Sequence, residues 1–426
     1  MMDVTAPWHL LTRIAFRFGF VYVGLFCLLF AQIVFVYAGV FTGLLPPGAV
    51  IWQLTQIAPV LTWVGRHVFG IEAVLHLDSH SGDQTVVWLM LFVLVVLAAV
   101  ATLLWSVLDR RRQDYTRLYA WFLLFVRLTL GGQMLFYAIA KVIPTQMPAP
   151  PLTALLRPFG ELSPASVLWL QVGSSMPYEI ALGTVELVAG LLLFYTRTAT
   201  LGALLCAMSM AQVFLLNMSF DVPVKILSFH LLLLSLVLLA PQLGRLADVL
   251  IRQRTAQPAT QPPLFTGARA NRMATVVVAL LGVWVLAGCL VEGVAGWREY
   301  GGGRPKPELY GIWEVSRFAD GTTELPPLTT DESRWQRVVV DAPGVITYQL
   351  MDGELVDEPA TIDGGVISVP DLPASLHYTR QGQDRLQLQG QLAGRPVSMT
   401  LHRVDPKSFE LRKRGFHWVQ DYPHFA

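Results

Sequence analysis

Long apolar runs separated by short polar stretches fill roughly the first three hundred residues of the chain. Seven of these runs come close to the roughly 20 residues that a helix needs to cross a bilayer. The predicted spans are 14–42, 85–108, 118–141, 177–195, 201–217, 225–240 and 273–297. The first run is far longer than the apolar part of a secretion signal, so we expect it to stay in the protein as a helix.

The pattern changes to a period of two after a glycine and proline linker at 301–307. Leu386 and Leu388 alternate with glutamines, and Ala393 with Gly394 then predicts a turn into the next strand, hence a hairpin. Strands are predicted at 338–340, 346–350, 366–369, 386–392 and 397–404. We therefore predict an all-α polytopic membrane bundle followed by a small antiparallel β barrel or sandwich over 308–426.

The presumed first strand of the β domain opens with Gly311, Ile312 and Trp313, which resembles the G-x-W opening of lipocalin-type barrels. Such a fold would place a late arginine, here Arg414, over the Trp313 ring. The alternative is a generic β domain with Trp313 in its core.

Composition agrees with a membrane protein, because 54% of the residues are hydrophobic and only 14% are charged, where a soluble domain has about a quarter charged. The net charge of +1 leaves no concentrated basic surface, so we expect no nucleic-acid partner. The three cysteines lie in apolar runs without a close pair, which supports neither a disulfide framework nor a Cys-based metal site.

Arginines in the short connections predict the orientation in the membrane. If the N-terminus is cytoplasmic, these arginines share its side: Arg13, Arg110, Arg111, Arg112, Arg117, Arg197, Arg245, Arg252, Arg254, Arg269 and Arg272. The β domain would then lie outside the cytoplasm of a bacterium, with 256–263 as a cytoplasmic linker. We expect the tryptophan-bearing outer connections 49–70 and 151–174 to lie in the membrane interface and to cover the bundle.

Two carboxylates, Glu179 and Glu186, lie seven residues apart in an otherwise apolar run, which puts both on one face of a helix. Charges in hydrocarbon normally face a bundle interior and find a partner there. Arg127 and Glu186 each lie about nine residues from the start of their predicted helices, near mid-depth, so we predict an ion pair between them. This pair either serves the function or only clasps two helices.

A second group of polar residues is predicted nearer the outer face of the membrane bundle. Its members are Tyr137, Lys141, Glu179, Asn217, Asp221, Lys225 and His230. Pro223 removes a backbone donor and forbids a continuous helix, and broken helices with charges at this level commonly line small-molecule cavities. The alternatives are that the lysines snorkel to the headgroups and that His230 is a hydrogen-bonded interior residue.

The runs FYAIAKV at 136–142 and ALGTVELVAGLLLFYTRTATLGALL at 181–205 resemble the DoxX family of small four-helix membrane proteins. Lys141 and Glu186 match the family's lysine at the end of one helix and its glutamate in the next. The runs VGRHVFG, SGDQT, NMSFDVPVK and RGFHWVQDYPHF resemble larger DoxX-like bacterial proteins with an exported C-terminal domain. We expect N-terminal helices at 1–114, a DoxX-like core at 115–242, a linker with the last helix at 243–300, and the β domain at 308–426.

The resemblance implies redox work, because DoxX and DoxD relatives include quinone-linked subunits of thiosulfate oxidation and others take part in thiol redox homeostasis. We expect a quinone or similar lipid-soluble molecule to bind at the outer leaflet of the bacterial inner membrane. The expected catalytic residues are Glu186, Lys141 and Glu179. The expected ligand-binding residues are Arg127, Tyr137, Asn217, Asp221, Lys225 and His230.

The electron carrier must be the quinone itself or a redox partner protein, because the chain has no Cys pair, haem motif or dinucleotide glycine fingerprint. One alternative is a non-enzymatic carrier of lipid or small solutes, or an assembly factor, that uses the same cavity. A second alternative is base catalysis by Lys141 or Lys225, as in the related membrane domain of vitamin K-dependent carboxylase. Membrane lipid is an expected partner in each case.

Overall fold

The computed structural model describes residues 8–30, 32–255 and 261–425. Within these ranges the chain forms a helical unit, which runs up to Met147 and continues over Met176–Gly301, and a β unit, which comprises Pro148–Ser175 and the chain from Gly302 onwards. Most of the predicted linker 256–263 lies outside the described residues, which resume at Gln261.

The described residues form twelve α-helices. They are α1 (Leu10–Leu29), α2 (Gln32–Phe35), α3 (Trp52–Val64), α4 (Thr85–Leu108), α5 (Thr116–Val142), α6 (Pro164–Gly173), α7 (Met176–Leu193), α8 (Ala199–Ser219), α9 (Lys225–Leu239), α10 (Leu243–Leu250), α11 (Ala268–Glu299) and α12 (Glu410–Lys413). Helices α6 and α12 belong to the β unit and the others to the helical unit.

Seven helical segments in the described ranges are long and apolar enough to cross a membrane, which is compatible with an integral membrane protein. They are α1, α4, α5, α7, α8, the stretch Lys225–Leu250 and α11. Each of the seven predicted spans corresponds to one of these helical segments.

The first predicted span, 14–42, is wrong in its length, because α1 ends at Leu29 and short helices follow. One of them, Val36–Leu44, contains Gly39 with a φ of +59°. Gly39 lies so close to Gly288 of α11 that a Cβ on Gly288 would collide with the Gly39 backbone. The segment bends here because two glycines allow a backbone contact that side chains would prevent.

Helix α5 is the most buried of the seven spans, and α7 packs antiparallel against it. A Cβ on Gly183 would lie 2.7 Å from the Lys141 Cβ, and a Cβ on Gly190 would lie 3.1 Å from the Met134 Cβ. Seven residues along α7 therefore correspond to seven residues back along α5. Small residues at these positions let the two backbones approach closely.

The β unit is a ten-stranded antiparallel sheet that forms a nearly closed barrel. Its strands are β1 (Gly311–Asp320), β2 (Thr323–Glu324), β3 (Trp335–Val340), β4 (Val345–Leu350), β5 (Leu355–Pro359), β6 (Thr361–Asp363), β7 (Val366–Val369), β8 (Ala374–Gln381), β9 (Arg385–Leu392) and β10 (Arg395–Val404). The strand order is β5-β4-β3-β1-β10-β9-β8-β7-β6, and the short β2 pairs with β1 outside this order. Strands β5 and β6 are therefore the two edges, and Ala360 alone separates them in sequence. The predicted hairpin is the pair β9 and β10.

Trp313 lies in the barrel core, and its Nε1 donates a hydrogen bond to the Leu309 carbonyl at 2.8 Å. The expectation for Arg414 is wrong, because its guanidinium is exposed and donates to the Gln420 side chain. Arg403 lies opposite Trp313 in the β1–β10 register instead. The barrel ends with β10, and Arg414 comes ten residues after that strand, past α12.

The connection 148–175 contacts the β unit, where we expected it to cover the helical bundle. Leu152 is fully buried in a cluster with Ile312 and Val339, and its backbone N–H donates to an Asp341 carboxylate oxygen at 3.3 Å. The stretch 115–242 is therefore interrupted in the structure by a segment of the β unit.

Candidate functional site

The helical unit encloses an ion pair between Lys141 and Glu186. The two atoms that meet are Lys141 Nζ and Glu186 Oε2, 2.7 Å apart, and the side chains are only 7% and 5% exposed. Gly183, one turn before Glu186, leaves room for the stem of Lys141 against α7. Each charge thus has its partner where neither would tolerate isolation.

The predicted ion pair between Arg127 and Glu186 is wrong. The register set by Gly183 and Gly190 puts Glu186 level with Ala138, and Arg127 lies eleven residues, or about 16 Å, further along α5. Arg127 is buried beyond the last residue of α7 and donates to the Gln261 side chain at 2.9 Å. Counting residues from each predicted helix start put both groups at one depth, but α5 is much longer than α7.

A chain of polar groups leads away from the ion pair. The Lys141 Nζ lies 5.8 Å from the centre of the Tyr137 ring, and the Tyr137 hydroxyl accepts a hydrogen bond from Gln32 Nε2 at 3.1 Å. Gln32 Nε2 also donates to Gln133 Oε1, and Gln133 Nε2 donates to the Gln32 carbonyl. Because Gln133, Tyr137 and Lys141 are spaced by four residues, they form one stripe on α5.

Glu179 lies in the first turn of α7, on the same face as Glu186, but it is not part of the ion pair. Its carboxylate is 1% exposed and accepts a hydrogen bond from the Met147 backbone N–H at 3.0 Å. It therefore fastens the chain that leaves α5 to the start of α7. Glu179 lies about 10 Å along the helix from Glu186.

A cavity of about 350 Å³ adjoins the two glutamines at the end of this chain. Its lining is mainly apolar, and its polar groups are amides, hydroxyls, a thiol and the carboxylate of Glu292. The lining residues that matter here come from three parts of the helical unit: Gln32, Phe35, Gln133, Phe136, Ile139 and Cys289. A pocket of this size with a few polar groups is the common form of a small-molecule site.

The predicted break near Pro223 exists, but it forms a helix cap rather than part of this cavity. Asp83 accepts hydrogen bonds from the backbone N–H groups of Lys225 and Ile226 at 2.7 and 2.9 Å, which satisfies the start of α9. Asp221 adopts a φ of +52° and pairs with the Lys225 Nζ at 2.8 Å. The Lys225 ammonium holds the pKa of the exposed Asp221 carboxyl below its usual value.

Asn217 and His230 are also held by local partners. Asn217 Nδ2 donates to the Ser228 hydroxyl at 3.0 Å. His230 Nδ1 lies 2.7 Å from the Ile226 carbonyl, which can only accept, so this nitrogen carries the hydrogen and Nε2 accepts from the Tyr22 hydroxyl at 2.8 Å. The imidazole also stacks on Phe26, with ring centres 3.8 Å apart. His230 is a hydrogen-bonded interior histidine.

Comparison with known proteins gives one informative match. No family model matches the chain, and no solved structure matches it. The chain is 32% identical over 122 residues to a Bacillus subtilis (strain 168) protein described as "Uncharacterized protein YwoB". The match covers 26% of this chain and 71% of the Bacillus protein. This chain belongs to the YwoB family. The description of the Bacillus protein names no activity.

Sequence reasoning thus brought together residues that the structure separates. Lys141, Glu186 and Tyr137 do share one place, with Glu179 nearby. Two participants were missed. Gln133 was detectable, because it continues the stripe of Tyr137 and Lys141 by four residues, whereas Gln32 follows the break after α1 and no pattern indicated it.

Proposed function

We propose that this YwoB-family chain is a DoxX-like membrane protein that binds a quinone or similar lipid-soluble molecule in the cavity beside Gln32 and Gln133, in a redox-linked role. The observation that supports this proposal is the continuity of polar groups from the cavity wall through Tyr137 to the Lys141–Glu186 pair. The apolar lining suits a ring and an isoprenoid tail.

The polar groups fit the needs of a quinone head. A quinone carbonyl accepts hydrogen bonds, and Gln133 Nε2 at the cavity wall donates only once within the described chain, so its second N–H can serve as the donor. Reduction to the quinol consumes two electrons and two protons. In our proposal a reduced partner protein supplies the two electrons and water supplies the two protons, which reach the cavity by way of the Tyr137 hydroxyl. The Lys141 ammonium lies over the Tyr137 ring, beside this route.

A carrier of lipid or small solutes is the second candidate, because the same apolar cavity suits an acyl chain. Base catalysis by a lysine has less support. The Lys141 Nζ is enclosed and engaged with Glu186, and neither Lys141 nor Lys225 belongs to the described cavity lining.

The test is extraction and mass analysis of molecules that co-purify with the protein, followed by titration of the purified protein with a short-chain quinone. We expect the native chain to retain quinone and Gln133→Leu to bind it at least about tenfold more weakly, because a donor at the cavity wall is lost. Gln113→Leu, in an exposed loop, is the matched control and should bind like the native chain.

Lys141→Met and Glu186→Gln should also lose quinone if the pair supports the site. Phospholipid alone in the native protein would favour the carrier. No saturable quinone binding by the native chain would overturn the redox proposal.

We further propose that the N-terminus faces the cytoplasm of a bacterium and that the β unit lies outside the inner membrane. The arginines near the ends of α4, α7 and α10 support this orientation. Protease digestion of intact spheroplasts should remove a C-terminal tag and spare an N-terminal one.

A further inference from the structure

Arg127 is a buried cation without a carboxylate partner among the described residues. The residue is only 5% exposed. One nitrogen, Nη1, donates to Gln261 Oε1 at 2.9 Å, while Nε is buried and has no hydrogen-bond partner. An unsatisfied buried guanidinium nitrogen is costly unless a ligand completes it.

Two adjoining cavities meet at this guanidinium. The smaller, of about 90 Å³, is bounded by Arg127 and Arg245 together with the side chains of Gln242 and Thr200. The larger, of about 240 Å³, shares Arg127 with it and has a mostly apolar wall: Ala120, Leu123, Leu124, Pro262, Leu264 and Val278. A polar chamber with two arginines thus opens onto an apolar one.

The charge of Arg127 has no acidic partner in the described walls of these cavities. No Asp or Glu belongs to the described lining of either cavity. An anion from outside the chain would offset the charge of Arg127 and complete its Nε.

We propose that this chamber binds a phosphate group. The planar guanidinium donates in a fork that matches phosphate oxygens, and Arg245 adds a second positive charge. The small chamber of about 90 Å³ is well above the roughly 10–15 Å³ that a single water needs by this measure, so it has room for the tetrahedral group.

The phosphate can come from an anionic phospholipid headgroup or from free phosphate in solution. The apolar chamber beside Arg127 would take the glycerol and the first acyl carbons of a lipid, and basic pockets between membrane helices are known to take such headgroups. This site is separate from the cavity at Gln133 and does not depend on the proposed quinone function.

The test is thermal unfolding of the delipidated, detergent-solubilised full chain during titration with phosphatidylglycerol, with phosphatidylcholine of equal chain length, and with inorganic phosphate. We expect saturable stabilisation by phosphatidylglycerol, and at least about tenfold weaker binding in Arg127→Gln and in Arg245→Gln. Arg252→Gln removes a charge two residues after the end of α10, outside both cavities, and should bind like the native chain.

Stabilisation by phosphatidylglycerol alone identifies the lipid headgroup as the source, and stabilisation by inorganic phosphate as well identifies the free ion as a sufficient ligand. If Arg127→Gln does not fold, Arg245→Gln carries the test by itself. Equal effects of the two lipids with none from phosphate, or an equal loss in Arg252→Gln, would overturn the proposal.

Discussion

Helix α5 carries one buried basic residue near its C-terminal end, Lys141, and another near its middle, Arg127, and the two are satisfied in opposite ways. Lys141 meets the Glu186 carboxylate at 2.7 Å, whereas Arg127 meets only an amide oxygen and keeps an unpaired Nε. The bases are fourteen residues, or about 21 Å, apart on one helix. The position of α7 decides the difference, because its glutamate reaches only one of them.

Breaking the Lys141–Glu186 ion pair should have the largest effect on stability. Lys141→Met or Glu186→Gln alone leaves an uncompensated buried group, and we expect each to lower the free energy of unfolding by about 3–5 kcal/mol. The double variant should recover most of that loss. The measurement is a double-mutant cycle on unfolding in detergent.

A variant at Arg127 is the control for that cycle. Arg127→Gln combined with Glu186→Gln should show additive losses and no rescue, since the two side chains do not meet. Rescue of Glu186→Gln by Arg127→Gln rather than by Lys141→Met would reverse the assignment.

The close approach of α5 and α7 can be tested at Gly183. A Cβ there would lie 2.7 Å from the Lys141 Cβ and 2.8 Å from the Ala138 carbonyl oxygen, so Gly183→Ala should cost about 1–3 kcal/mol by overpacking. Gly244→Ala in α10 is the matched control, because nothing lies within 4 Å of its added Cβ. Equal unfolding temperatures for the two variants would contradict the packing described.

A smaller effect is expected at the polar cap of α9, which lies apart from both bases. Asp83→Ala removes the acceptor for two backbone N–H groups and should cost about 1 kcal/mol. Asp78→Ala, in the same loop but exposed, should change the unfolding free energy by less than about 0.5 kcal/mol. Unfolding of both variants in detergent measures the difference, and indistinguishable losses would remove Asp83 from the cap.

The smallest effect is expected from a partly exposed charge in the β unit. Hydrogen bonds from the Ser333 backbone and hydroxyl hold the pKa of the Asp331 carboxyl below its usual value. A lowered pKa in the folded state adds stability above the unfolded pKa, and this contribution is lost as the pH falls through the folded value. Asp331→Asn should therefore slightly weaken the acid dependence of unfolding, and a steeper dependence would contradict this.

Much of the architecture followed from the sequence, because apolar length and period-two alternation are local properties. The spans near α4, α5 and α7 and the hairpin of β9 and β10 are examples. The partner of Glu186 did not follow, because it depends on helix register, which glycine contacts at Gly183 and Gly190 determine.

Polar residues outside the pair were harder still to assign. Lys225 and His230 are both isolated polar residues in an apolar run. Lys225 lies at the capped start of α9, whereas both ring nitrogens of His230 are hydrogen-bonded, to Tyr22 and to Ile226. Their partners come from distant parts of the chain, so spacing could not reveal them. Gln133 shows the reverse case, since its spacing from Tyr137 and Lys141 was informative.

Disulfide crosslinking tests the register of α5 and α7 most directly, in a chain whose three native cysteines are replaced. We expect Met134→Cys with Gly190→Cys to crosslink readily under mild oxidation, because a Cβ on Gly190 would lie 3.1 Å from the Met134 Cβ, near disulfide range. We expect no crosslink for Arg127→Cys with Glu186→Cys. Efficient crosslinking of the 127–186 pair, with none between 134 and 190, would contradict the assignment of Lys141 as the partner of Glu186.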